Sequence, residues 1–229
     1  MLDRFLPDEY TLRARLQPAF LTALPLAIGL LPWLQLKLGW EALWVFIAWS
    51  GIGALTAQLV RDRGKKVEKR LFEKWGGRPT TRRLRHRSGT SPDQLEHLHR
   101  RMQKLVPELK MPSAEEEAAD PATADAAYET CIVELKKATR ENRLVVSENY
   151  YYGFRRNLLG LKPLGLVSAA LGTGLPLAAG WSGKVEWGLS VYLSVVLSVM
   201  SALVWLLAIR PGWVRAAAEQ YAERLLESA

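Results

Sequence analysis

Cysteine occurs once in this chain of 229 residues, as Cys131, and histidine three times, as His86, His97 and His99. A lone thiol forms no intramolecular disulfide, and with three scattered histidines it supplies no Cys/His metal cluster. Cys131 falls in a helical pattern and is expected as a small buried residue. His97 and His99 stand two apart and diverge on a helix, which argues against a helical metal pair. Charge is missing from four long stretches: residues 16–36, 42–60, 163–180 and 188–209 contain no Asp, Glu, Lys, Arg or His. Ion pumps, proton relays and carriers of charged substrates place at least one ionisable group inside the membrane. The absence argues against those classes, although not against a pore formed by an oligomer.

Each uncharged stretch is long enough, at 1.5 Å per residue, to cross about 30 Å of hydrocarbon as a helix. The expected fold is therefore an all-α integral membrane protein, with four transmembrane helices as two hairpins flanking a helical cytoplasmic insert. The segments are a lead-in at 1–15, hairpin 1 at 16–60, a cytoplasmic helical domain at 61–161, hairpin 2 at 162–209 and an amphipathic helix at 210–229. A secretory signal is not expected, because the first apolar run exceeds an h-region and a second follows at once. Pro18, Pro25 and Pro32 recur every seven residues and fall on one face, where neighbouring helices must satisfy the carbonyls that proline frees. Gly51, Gly53, Ala54, Gly172 and Gly174 are small enough for close helix approach. Trp33, Trp40 and Trp44 flank the polar turn at 37–41, as interface aromatics do, and Trp181 to Trp187 is the second short turn.

The formal charge is +8 and the pI about 9.7. Of the 31 Lys and Arg, all but Lys37 and Lys184 lie on one side of the expected hairpins. The positive-inside rule then puts both termini and the insert in the cytoplasm. Within the insert, Val67, Leu71, Phe72 and Trp75 continue the second span as an amphipathic helix, which Gly76-Gly77 stops. Ser91-Pro92-Asp93-Gln94 starts a helix running to about Val106. An acidic linker follows at 112–116. Asp120-Pro121 opens a helix to about Asn142, with Ala124, Tyr128, Cys131, Leu135 and Ala138 on its apolar face. No strand is convincing, and 144–146 is too short to decide.

Residues 75–87, WGGRPTTRRLRHR, carry the ingredients of an anion site. Glycines admit a phosphate to backbone amides, threonine hydroxyls donate, and arginines supply bidentate charge. The Walker order is absent. The candidates are Gly76, Gly77, Arg78, Thr80, Thr81, Arg82, Arg85 and His86, joined by Arg155, Arg156 and Asn157 from a second polar block. The bland reading is a turn whose topology-setting charges touch anionic lipid headgroups. The sharper ones are a phosphate-bearing ligand, or a cytoplasmic protein or nucleic-acid partner. Glu141 and Glu148 are expected to pair with arginines of the first block if the insert folds back. His86 reads as a structural hydrogen-bonder, since no recognised spacing joins it to Glu148 as an acid–base pair. No catalytic residue, metal or cofactor is assigned.

With these two blocks, W-G-G-x-P-T-T-x-x-L-R-H-R at 75–87 and E-N-x-x-Y-G-F-R-R-N at 148–157, the chain resembles an uncharacterised family of bacterial multi-pass membrane proteins. The resemblance implies the bacterial cytoplasmic (inner) membrane and the two-hairpin layout. It implies no activity and transfers no catalytic residue. The expectation is a membrane-anchored, oligomeric, non-enzymatic protein whose basic cytoplasmic domain binds an anionic ligand, lipid headgroup or partner. The alternatives are a membrane-disrupting or pore-forming effector of a stress or phage-defence pathway, and a membrane-bound enzyme acting on a phosphate-bearing or lipid substrate.

Overall fold

A computed structural model describes residues 9–32 and 41–229, with side-chain surroundings for 9–32 and 56–229. The expectations for Trp33, Lys37 and Trp40, and for the side chains of Trp44, Gly51, Gly53 and Ala54, lie outside the described residues. Every regular element among the described residues is helical: α1 (Glu9–Thr11), a π-helical turn (Leu12–Leu16), α2 (Gln17–Leu30), α3 (Glu41–Trp75), α4 (Pro79–Leu84), a 3₁₀ turn (His86–Ser88), α5 (Pro92–Leu105), α6 (Ala114–Ala119), α7 (Pro121–Ala138), α8 (Arg143–Trp181), α9 (Leu189–Leu207) and α10 (Pro211–Glu227). The chain forms two compact units, one from residues up to Glu68 with Gly153–Val214, the other from Lys69–Tyr152 with Arg215–Ala229.

In the first unit Val60, Leu158, Leu161, Trp205 and Ile209 form a buried cluster, but large apolar side chains also cover the outside. The face of α9 that turns inward carries Val191, Ser194, Ser198 and Trp205. Its outward face carries Leu193, Val196, Leu197, Met200, Leu203 and Leu207, each more than two-fifths exposed. Water would penalise such a surface, whereas lipid accepts it and leaves small and polar residues to mediate helix contact. α8 and α9 are both long and apolar enough to cross a membrane. The uncharged part of α8 repeats the pattern, with Ser168, Ala169 and Ala179 buried and Leu164, Val167 and Leu171 exposed.

Prolines and glycines set how closely these helices approach. Pro18, Pro25 and Pro32 are all buried, as their seven-residue spacing predicts. Pro32 has no N–H to give to the Ile28 carbonyl, which accepts from Ser194 Oγ at 3.0 Å and from Leu31 N at 3.1 Å. A Cβ on Gly172 would lie 2.7 Å from both the Pro25 carbonyl carbon and Ser198 Oγ, so α8 meets α2 backbone to backbone. Gly174 faces open space. Lys162 Nζ donates to the Leu206 and Ile209 carbonyls at 3.2 and 2.8 Å, placing a cation on the C-terminal end of α9 where the helix dipole favours it.

The second unit has an ordinary core. Leu84, Met102, Tyr128, Cys131, Ile132, Leu135 and Leu225 bury together. Four of the residues expected on the apolar face of α7 are buried, but Ala138 is exposed and Ile132 and Thr139 turn inward instead. α7 ends at Ala138, four residues earlier than the spacing suggests, because Asn142 starts α8: its Oδ1 accepts from Leu144 N at 3.0 Å. Residues 144–146 are therefore the first turn of α8. The expected acidic linker is a short helix, α6, held by a reciprocal capping box between Ser113 and Glu116.

Candidate functional site

α3 ends at Trp75 because Gly76 and Gly77 take φ of 75° and 123°, a region that side chains disfavour. Gly77 N closes the turn on Phe72 O at 2.8 Å. Pro79, with φ already helical, opens α4 at its first position. α4 has one inward face, so Thr80, Thr81 and Leu84 are buried. The arginines between them point the other way. Five arginines come from this single turn-and-helix, and each meets a carboxylate within the second unit.

These pairs differ in quality. Arg85 is nearly buried and holds Asp125 with Nε at 2.7 Å and Nη2 at 2.6 Å, while Nη1 donates to Gly76 O at 2.7 Å. Its Nη2 would also lie 2.7 Å from a Cβ on Gly77, so only glycine fits beneath it. Arg78 meets Glu129 at 3.4 Å and Arg87 meets Glu117 at 3.6 Å. Glu219 of α10 receives three guanidiniums: Arg82 at 3.4 Å, Arg83 at 3.5 Å and Arg215 at 3.8 Å. Arg83 also reaches Glu223 at 3.2 Å. The expected partners Glu141 and Glu148 are thus replaced by Glu117, Asp125 and Glu129, with Glu219 and Glu223 from the far end of the chain. The partners are set by how α7 and α10 pack on α4, which no local spacing encodes.

Arg82, Arg83, Arg85 and Arg87 line an open cleft of about 540 Å³ with Gly76, Ser88, Ser91 and Gln94, and Glu219 is its one carboxylate among the described residues. The cleft carries a surplus of positive charge in which the Glu219 contacts are long. Of the residues singled out by sequence, it gathers Gly76, Arg82 and Arg85. Gly77 lies beneath Arg85, Arg78 turns to Glu129, and Thr80 and Thr81 are buried away from it, Thr81 Oγ1 without a partner among the described residues. Arg83, Arg87 and Glu219 were not among the sequence candidates. A signal for Glu219 existed, because Glu219, Glu223 and Glu227 recur every four residues along one face of α10.

His86 is committed elsewhere. Its N–H donates to Glu117 Oε2 at 2.8 Å, and its Nε2 lies 3.0 Å from Pro112 O. Glu117 is buried and also accepts from the Tyr128 hydroxyl at 2.8 Å. The His86 ring meets His99 edge-on at 5.0 Å, and His99 Nε2 lies 2.7 Å from Leu84 O. Burial holds the His99 imidazole below its ordinary pKa, with His86 adding to the effect and the Leu84 carbonyl and Glu117 opposing it. Burial pushes the Tyr128 hydroxyl up, and its bond to Glu117 pushes it further. These links tie α4, α5, α6 and α7 together under the cleft. No hydrogen bond joins His86 to Glu148.

The second block works inside the first unit. Asn157 is fully buried and its Nδ2 donates to Ala14 O at 2.6 Å, in the π-helical turn. It sits against Gly64 of α3, whose missing Cβ leaves room for the amide. Arg156 pairs with Glu68 at 2.9 Å. Arg155 Nη1 donates to Trp213 O at 3.2 Å, with its guanidinium 5.0 Å from the indole centroid. All three join helices to one another. In comparisons with family models, known proteins and solved structures, nothing matches this chain.

Proposed function

We propose that this protein is a membrane-anchored binding protein whose second unit takes a phosphate-bearing anion in the Arg82–Arg83–Arg87 cleft. The observation that carries the reading is the contrast among the arginine pairs. Arg85 is locked on Asp125 at 2.6 Å, whereas Arg82, Arg83 and Arg215 share one carboxylate at 3.4 to 3.8 Å. Two carboxylates among three guanidiniums, Glu219 and the Glu223 that Arg83 also reaches at 3.2 Å, leave one charge uncompensated, and a phosphate offers the oxygens that guanidinium forks match.

The second unit as a whole carries 18 Lys and Arg against 16 Asp and Glu, so a general basic surface is not what would attract the ligand. The excess of charge lies beside the apolar spans. Arg61, Arg63, Lys65 and Lys66 are exposed on α3 and meet no carboxylate among the described residues. That arrangement suits anionic lipid headgroups and, with Lys162 and Arg210, supports a positive-inside orientation. On this reading four spans in two hairpins cross a bacterial cytoplasmic membrane, with both termini and the binding unit inside. Small-residue helix contacts are compatible with a homo-oligomer.

The test is calorimetric titration of the full-length protein in detergent with inorganic pyrophosphate at low salt. Binding is expected, weakening with ionic strength, and Arg82→Ala and Arg87→Ala should each reduce it about tenfold, or 1.4 kcal/mol. Equal affinity in wild type and the double variant would refute the assignment.

A further inference from the structure

We infer, resting on the arginine cleft as an anion site, that its ligand is a nucleoside phosphate, with the phosphate at Arg82, Arg83 and Arg87 and the nucleoside in the adjoining cleft beside His97. A second open cleft of about 460 Å³ shares Arg83, Thr90 and Gln94 with the first. Its lining changes character. Leu98 and Leu226 give it an apolar floor, and Asp93, Glu223 and Glu227 ring it with carboxylates. Three acids outnumber the guanidiniums of Arg83 and Arg101 in this lining, although Glu223 is paired with Arg83 and Glu227 with Arg224, so the compartment suits a second anionic group less well than the arginine cleft does. A polar rim excludes an acyl chain. Acceptor oxygens over an aliphatic floor fit a heterocycle with exocyclic amines, or a ribose with hydroxyls to donate. The exposed His97 imidazole offers a flat face for stacking.

Helical spacing makes the two clefts one groove. Gln94, Leu98 and Arg101 follow each other at intervals of four and three along α5, and Arg101 Nη2 is fixed to Glu227 O at 3.0 Å. On α10, Glu219 faces the first cleft, while Glu223, Leu226 and Glu227 face the second. Eight residues of α10 between Glu219 and Glu227 span about 12 Å at 1.5 Å each. That is the reach from a phosphate to the far edge of a nucleobase. The combined space falls within the range of small-ligand sites.

The experiment titrates the full-length protein in detergent with ADP, GDP, CDP and UDP alongside pyrophosphate. At least one nucleotide should bind about tenfold tighter than pyrophosphate. His97→Ala and Asp93→Ala, both outside the arginine cleft, should bring that nucleotide to the pyrophosphate value and leave pyrophosphate binding unchanged. If pyrophosphate binds and no nucleotide binds tighter, the nucleoside assignment is overturned and the anion site stands. If the preference survives the double variant, the second cleft is not where the nucleoside sits. If neither class binds, both readings fall.

Discussion

Arg85 grips Asp125 with both arms of its guanidinium, Nε at 2.7 Å and Nη2 at 2.6 Å, and spends its remaining nitrogen on Gly76 O. One side chain thereby ties the glycine turn after α3 to α7. Because Arg85 is used up in this way, the neighbouring Arg82, Arg83 and Arg87 are left to face the cleft with weaker partners. The block reads as uniform in sequence, yet it divides into one arginine held by short bidentate bonds and others held by longer contacts beside the cleft.

Arg85→Ala should therefore destabilise the second unit rather than simply weaken ligand binding. It strands a partly buried carboxylate and a backbone carbonyl, at about 2–3 kcal/mol. Arg85→Lys restores the charge without the planar fork and should recover less than half of the loss. Thermal unfolding in detergent, with limited proteolysis within residues 69–152 as a local probe, reads both. Arg82→Ala, losing only a 3.4 Å contact to a shared carboxylate, should shift unfolding by less than about 1 kcal/mol. An Arg82 variant as unstable as Arg85→Ala would contradict the division.

The depressed pKa of His99 gives the second unit a pH dependence of known sign. In the unfolded chain an imidazole takes its proton near pH 6.5. In the folded chain it resists until lower pH, because the ring is buried against His86 and Tyr128, with Glu117 and the Leu84 carbonyl opposing. Between those two values the unfolded state binds more protons, so stability falls as pH drops below about 6.5 and is flat above it. His99→Gln can still donate to Leu84 O and should remove that part of the slope. Melting temperatures between pH 7.5 and 5.5 decide it, and an unchanged slope in the variant would show that other groups carry the effect.

What was legible in the sequence was local. Ser91 and Asp120 cap their helices as their spacing announces, because capping depends on residues within three positions. Gly76-Gly77 stops α3 for the same reason. The burial of Cys131 and Tyr128 follows from helical period. Of the arginine cleft, the sequence showed the cations but not their partners, because Arg82 and Glu219 are 137 positions apart. Nor does composition separate Gly172 from Gly174. Both are small residues in an apolar helix, and only the packing of α2 against α8 decides which one is needed.

That difference can be measured. Gly172→Ala puts a methyl into the Pro25 backbone and Ser198, which cannot retreat without separating the helices, and should cost about 1–3 kcal/mol. Gly174→Ala meets nothing within 4 Å and should be neutral or slightly stabilising through helix propensity. Unfolding in mixed detergent–SDS micelles compares the two. Equal losses would mean that glycine is required in α8 for its backbone freedom and not for the contact.

The proposed orientation in the membrane follows from charge, and the native cysteine allows a clean test of it. Cys131 is fully buried, and burial pushes its thiol up, so it contributes little thiolate and should stay silent toward maleimides. Ser182 and Ser88 are both exposed, one in the turn between α8 and α9, the other at the end of the 3₁₀ turn in the second unit. In intact spheroplasts a membrane-impermeant maleimide should modify Ser182→Cys and leave Ser88→Cys untouched. Permeabilising the membrane should make Ser88→Cys react to the same extent. Reaction at position 88 before permeabilisation would invert the topology and place the arginine cleft outside the cell. Equal reaction at both positions in sealed spheroplasts would remove the spans themselves.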